Sequence, residues 1–282
     1  MKPNEWKSAQ VAAIAAARAA DWETVFQLLD EGLNVNLQDT THRETLLLIA
    51  LRHLPPVDES LPEEIKLPSH IARLLQYGAD ANLGDRILWQ FPLHEATGRG
   101  FYPVVELLIL HGADVNLKKI LDPADPDPLL FDATPLHLAA SLDFITTMKM
   151  LLRHGARVDE LGHAGQTPLH AAAMGAGGRQ AAAALLLQHR ANINAQCEGE
   201  LADCYLKGET PLHLAVAFLY PKLVRYLLSQ GASMQIKDAR GRTPIDIAEK
   251  NLFRVGPETW IGGPFPSNLI PEVRAVLGEY CG

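Results

Sequence analysis

Thr134-Pro135-Leu136-His137 returns as Thr167-Pro168-Leu169-His170 and as Thr210-Pro211-Leu212-His213, with variants at Phe91-Pro92-Leu93-His94 and Thr243-Pro244-Ile245-Asp246. Thr134 and Thr167 stand 33 positions apart, and so do Thr210 and Thr243. A short motif at one fixed period marks a chain built from stacked, equivalent units. Each copy opens a stretch of Leu, Ala and Val and is followed by Gly-Ala with an Asp or Asn, as in Gly112-Ala113-Asp114-Val115-Asn116.

Every position of the motif has a physical task. Thr supplies the N-cap oxygen of a helix, and Pro follows at N1, where its missing donor costs nothing. Leu and the small Ala residues then point that helix into the stack and let its neighbours approach closely. A second helix, for example Met148–His154, carries paired leucines on its inner face and stops at a Gly able to turn left-handed. Arg190 stands where the other units have that Gly, which predicts local strain or a different helix end.

The helix-ending residues Gly32, Gly78, Gly112, Gly155, Arg190, Gly231 and Gly278 lay out seven units. Their approximate limits are 1–36, 37–82, 83–116, 117–159, 160–194, 195–235 and 236–282. The first and last are degenerate, as terminal units that face water must be. In the first, Ala12–Ala19 and Trp22–Leu29 read as its two helices, and Thr45-Leu46-Leu47-Leu48 opens the second with Pro and His lost.

A 33-residue period with Thr-Pro-Leu-His resembles the ankyrin-repeat family over nearly the full 282 residues. The resemblance implies an all-α solenoid of stacked helix-turn-helix units with β-turn fingers, forming a single domain over 1–282. It also implies a binding platform whose concave surface is made of inter-unit turns and first helices.

Composition agrees with a folded, soluble chain: 48% apolar, 21% charged, and only 6% aromatic, which suits a thin core of small side chains. A net charge of −8 argues against nucleic acid, because phosphate contact needs a basic stripe. The run Val11–Ala20, interrupted by Arg18, is too short for a membrane span and lacks the layout of a secretion signal. Cys197, Cys204 and Cys281 are too few for a disulfide framework, which points to a reducing compartment, the cytoplasm or nucleus.

His94, His137, His170 and His213 invite a metal or catalytic reading, but they recur once per unit instead of converging, and no Cys/His ligand spacing accompanies them. In the family this histidine resembles a structural residue that hydrogen-bonds around the turn. No metal, cofactor or catalytic residue is expected. The chain has no Gly-x-Ser-x-Gly elbow, His-Glu-x-x-His pair, phosphate loop or dinucleotide fingerprint.

Departures from the period fall in predicted loops. About 12 extra residues around Leu54–Pro68 separate the helices of the second unit, and about 10 extend Leu117–Asp132, where Asp122, Asp125 and Asp127 alternate with Pro but lack the Gly and Glu of a calcium loop. Gly175, Gly177 and Gly178 form a slightly long turn, and Ala195–Gly208 is a lengthened finger with Cys197 and Cys204 near its tip. Asn251–Leu269 divides the last unit, with Trp260 and Phe265 covering the end of the core; Glu272–Tyr280 is the closing helix, with Pro271 at N1 and Ser267 or Asn268 as cap.

With framework positions spent on packing, partner choice falls to turn and first-helix residues: Arg86, Trp89, Gln90, Arg99, Leu161, His163, Gln166, Met174, Lys237, Arg240 and Arg242. They mix aromatic, Met and Arg, types enriched at interfaces. The expected partner is a protein or peptide bound by a monomer, without nucleic acid or membrane. Two alternatives remain: an enzyme built from the inserts, and a substrate-recruiting adaptor of ubiquitin ligases. For the second, Pro264-Phe265-Pro266, Leu269 and Val273-Arg274 are faintly similar to the Pro-rich part of the short box that ends some family members. Asn36, Asn82, Asn116 and Asn194 also resemble positions that asparaginyl hydroxylases modify in this family.

Overall fold

The structure, a computed structural model, describes residues 3–54, 68–85, 91–119, 132–162, 165–198, 207–250, 252 and 269–280. These form fourteen helices, and the one β-type pairing among them is an isolated bridge between Gln38 and Thr45. The chain divides into two compact units, 1–131 and 132–282, each a double layer of helices.

In the first unit α1 (Pro3–Arg18), α3 (Leu46–Arg52) and α5 (Pro92–Gly98) form one layer, and α2 (Trp22–Asp30), α4 (Ser69–Gln76) and α6 (Tyr102–Leu110) the other. Thr45 caps α3 by accepting the Leu48 N–H at 3.1 Å, so the unit that lost Pro and His keeps the cap that starts its helix. Between α2 and α4, Trp22 stacks on His70 with centroids 4.6 Å apart, and the Arg73 guanidinium lies 4.0 Å over the Phe26 ring.

In the second unit α7 (Pro135–Leu142), α9 (Pro168–Met174), α11 (Pro211–Ala217) and α13 (Pro244–Glu249) make the first layer. The second comprises α8 (Ile145–Arg153), α10 (Gln180–Gln188), α12 (Pro221–Ser229) and α14 (Leu269–Glu279). Every first-layer helix here begins at the Pro of its motif. The closing helix starts at Leu269, two residues before Pro271; Pro is tolerated there because first-turn N–H groups have no intrahelical partner. Its proposed caps Ser267 and Asn268, like Trp260 and Phe265, lie outside the described residues, as does most of each long insert.

The histidines tie one layer to the next. In the second unit, Nδ1 of His137, His170 and His213 accepts the backbone N–H of Thr134, Thr167 and Thr210 at 3.2, 3.1 and 3.1 Å. That leaves the ring proton on Nε2, which donates to the carbonyls of Gln166, Glu209 and Arg242 at 3.0, 3.1 and 3.0 Å. Each acceptor is the residue just before the next motif threonine. Burial holds His170 neutral, pushing it down to about 4, and lowers His213 in the same way.

A second ladder runs through the asparagines. Asn36 and Asn82 donate to the Gly78 and Gly112 carbonyls at 3.1 and 2.8 Å and accept the Asp80 and Asp114 N–H groups at 2.7 and 2.8 Å. Arg190 adopts φ +66°, the left-handed region, where its glycine counterparts Gly32, Gly78, Gly112, Gly155 and Gly231 also lie, so the expected helix end is kept at the cost of a strained backbone.

Candidate functional site

The described ends of the fingers of the second unit are joined by the same backbone bond. Gly162 donates to the Gln166 carbonyl at 2.7 Å, Cys197 to Glu209 at 3.0 Å and Asp238 to Arg242 at 2.8 Å. Two residues before each threonine stands a glycine of positive φ: Gly165, Gly208 and Gly241. A Cβ on Gly165 would lie 2.4 Å from the Glu198 nitrogen, and one on Gly208 2.6 Å from that of Ala239. Glycine is therefore required twice over at these two, by the turn and by the backbone of the next finger lying against it. Ala239 N–H closes that contact on the Lys207 carbonyl at 3.0 Å, and Gln196 Nε2 spans to the Lys237 carbonyl at 3.0 Å.

Buried carboxylates anchor the fingers, a feature the motif reading missed. Asp238 accepts the Arg240 and Arg242 N–H groups at 2.8 Å each and the Arg242 Nε at 2.6 Å, while Arg242 reaches Glu209 at 3.1 Å. Burial tends to raise the Asp238 carboxyl, but these donors prevail and hold it below the usual range. The first unit repeats the device: Arg18 pairs with Asp39 and Glu44 at 2.8 and 2.7 Å, and Arg52 with Glu44 and with buried Asp85. Burial also works to raise Asp39, against hydrogen bonds from Arg18 and His42 that leave it lowered. The available signal was an acidic residue just before the threonine or opening the finger turn, with an arginine one repeat away.

Against this geometry the predicted partner-binding residues separate. Leu161, Lys237 and Arg240 are exposed, on the fingers. Gln166 and Met174 are only 2% and 8% exposed, which corrects their assignment as surface residues: α9 and α11 are buried at every position, so their inner faces offer little to a partner. Arg242 is bound up with Asp238 and Glu209, so its role is to shape the finger. Arg99 is partly exposed but committed to Glu95 at 2.7 Å and to the Leu54 carbonyl at 3.0 Å. Arg86, Trp89, Gln90 and His163 lie outside the described residues.

The three motif histidines of the second unit spend both ring nitrogens on backbone groups. Asp39, His42 and Glu44 are close enough to share a cation, yet both carboxylates are already engaged by Arg18, and Glu44 also by Arg52. A groove of about 240 Å³ runs along α1 between Val11, Ile14 and Ala15 and the finger residues Leu37–Thr41. Among the described residues no helix is long and apolar enough to cross a membrane.

Comparison with known proteins fits the repeat pattern. A family model described as ankyrin repeats in three copies matches residues 93–197, and one for many copies matches residues 171–228. Human palmitoyltransferase ZDHHC13 is 31% identical over 241 residues, covering 84% of this chain and 33% of that protein. Human ankyrin repeat and SOCS box protein 16 is 34% identical over 207 residues, covering 62% of this chain and 43% of that protein. The chain thus spans a third to under half of the length of these relatives. The human ASB11 ankyrin repeat domain superposes with a TM-score of 0.65 at 22% identity, covering 96% of this chain and 97% of that one, which establishes the shared fold.

Proposed function

The chain is an ankyrin-repeat protein, and from that premise we propose that it is a non-enzymatic interaction scaffold that binds a protein or peptide partner through its exposed finger residues. The observation that carries this reading is a contrast within the second unit. The first-layer helices α9 and α11 are wholly buried, whereas Leu161, Lys237 and Arg240 stand exposed on the fingers, and neither cation has an ion-pair partner among the described residues. Packing uses the framework, so specificity is left to these positions; arginine and large apolar groups are suited to it. Arg99 is a secondary contact in the first unit. The acidic net charge supports a protein partner over nucleic acid, and we assign the chain, as a monomer, to the cytoplasm or nucleus.

The resemblance to ankyrin repeat and SOCS box protein 16 favours a second reading, a substrate-recruiting adaptor of ubiquitin ligases. Here Val273 is buried, and Arg274 binds the Ala248 and Glu249 carbonyls at the end of α13, so these residues serve packing. That use favours the plain scaffold.

The test is capture from cell extract by the tagged chain and by a variant carrying Leu161→Ala, Lys237→Glu and Arg240→Glu. Loss of specific partners with an unchanged helical circular dichroism spectrum is expected. The same partners on both proteins would contradict the reading.

A further inference from the structure

The inter-layer bonds of the fingers recur at fixed positions, and in the last finger those positions have no described layer to bond. Asn194 Oδ1 accepts the Ser233 N–H at 2.8 Å; the residue at the Asn194 position of the last finger is Gln235, and it is exposed. Gln38 and Gln196 donate to the Gly84 and Lys237 carbonyls of the following finger; the equivalent residue of the last finger is Lys237, also exposed. The Lys207 carbonyl accepts the Ala239 N–H, and its equivalent is the carbonyl of exposed Arg240. Gly208 lies against the next finger's backbone, whereas no described atom comes within 4 Å of a Cβ built on Gly241.

We infer that this open edge, Gln235–Gly241, docks an extended acidic segment of a partner protein, which lays its backbone where a following finger would lie. The inference rests on the scaffold reading and adds the partner's chemistry to it. The N–H groups of Asp238 to Gly241 are spent within the fold, so the edge offers an added segment the Arg240 carbonyl as acceptor and the side chains of Gln235 and Lys237 as donors. A further repeat is a poor occupant, because the fourth capping box carries Asp246 in place of histidine and so has no Nε2–H for a following turn. Asp246 spends its oxygens on Thr243 and Lys250 instead, and α14 already closes the helical layers against α12 and α13. Charge sets the class of segment. Lys237 and Arg240 flank the edge with Lys207 on the neighbouring finger, while Asp238 and Glu209 are buried beneath it and share Arg242, which offsets one of their two charges. An acidic side chain meets free cations there.

The test uses the full ¹⁵N-labelled chain titrated with a decapeptide of alternating Glu and Val. Controls are the same peptide N-methylated at alternate residues, which removes backbone donors, and a Lys/Val version. Saturable shifts at the amides of residues 235–241 are expected. Binding should disappear for the N-methylated and Lys/Val peptides and weaken about tenfold in the Lys237→Glu/Arg240→Glu variant, as expected for two reversed rim charges. Absence of shifts at millimolar peptide, or equal binding by the N-methylated form, overturns the inference. So does self-association that the double variant dissolves, which would give the edge to a second copy. Peptide failure alongside partner capture that is lost with Leu161→Ala alone would sink this inference and leave the scaffold reading standing.

Discussion

His170 donates its Nε2–H to the carbonyl of Glu209, 39 positions further along the chain, and the two are completely buried. The same ring accepts the Thr167 N–H on its other nitrogen. One side chain therefore satisfies the cap of its own helix and the finger of the next repeat. Its recurrence once per repeat reflects what each layer boundary requires.

Replacing His170 by Leu removes both bonds, which takes the Thr167 N–H's partner on the ring and leaves the Glu209 carbonyl with the Cys197 N–H. The orphaned amide costs on the order of 1–3 kcal/mol and the lost carbonyl bond about 1 more, so the variant is expected to lose about 2–4 kcal/mol in urea unfolding. Asp246→Asn, in a capping box that serves no following layer, should cost less than half of that.

The same histidine makes stability depend on pH in a defined window. Its folded-state value of about 4 lies below the ordinary 6.5, so the unfolded chain takes up the proton first. The stabilisation is complete above pH 6.5 and is lost as pH falls toward 4, roughly 3 kcal/mol in all by linkage. His213, lowered by burial too, adds in the same direction. Urea midpoints measured from pH 7.5 to 4 should fall steadily below 6.5, and the His170→Leu variant should show a shallower decline.

Arg190 at φ +66° makes the opposite kind of prediction. Left-handed backbone costs a non-glycine residue about 1–2 kcal/mol, while glycine returns part of that as unfolded-chain entropy. Arg190→Gly is expected to stabilise the chain by about 0.5–1 kcal/mol, seen as a higher urea midpoint at constant slope.

Gly208 and Gly241 form an internal control, since both have positive φ, +76° and +71°. At Gly208 an added methyl meets the Ala239 nitrogen at 2.6 Å, and at Gly241 it meets no described atom. Gly241→Ala should cost about 1–2 kcal/mol from backbone strain alone. Gly208→Ala should cost clearly more, because the two fingers must also separate.

Fold and surface differ in how far the chain displays them. Thr-Pro and the terminal Gly act within a few residues, so their helix starts and stops can be read locally, and in the second unit the motif helices begin at Pro135, Pro168, Pro211 and Pro244. Exposure is decided by neighbours some 30 residues away. Met174 and Gln166 read as turn and first-helix positions outside the packing framework but are covered once the repeats close. Arg242 resembles a free cation until Glu209, 33 positions earlier, is brought beside it. Asp85, Glu209 and Asp238 are hard to read as buried because an acid before a threonine or in a turn looks solvated; their arginine partners, 33 positions away for Asp85 and Glu209 and four for Asp238, make burial tolerable.

Hydrogen-exchange footprinting of the chain with its captured partner tests the central claim most directly, because it reads where the contact falls. The account predicts added protection at the fingers, residues 161–162 and 235–242, with the exposed faces of α8, α10 and α12 unchanged. Protection confined to those second-layer helices, with the fingers exchanging as in the free chain, would contradict it.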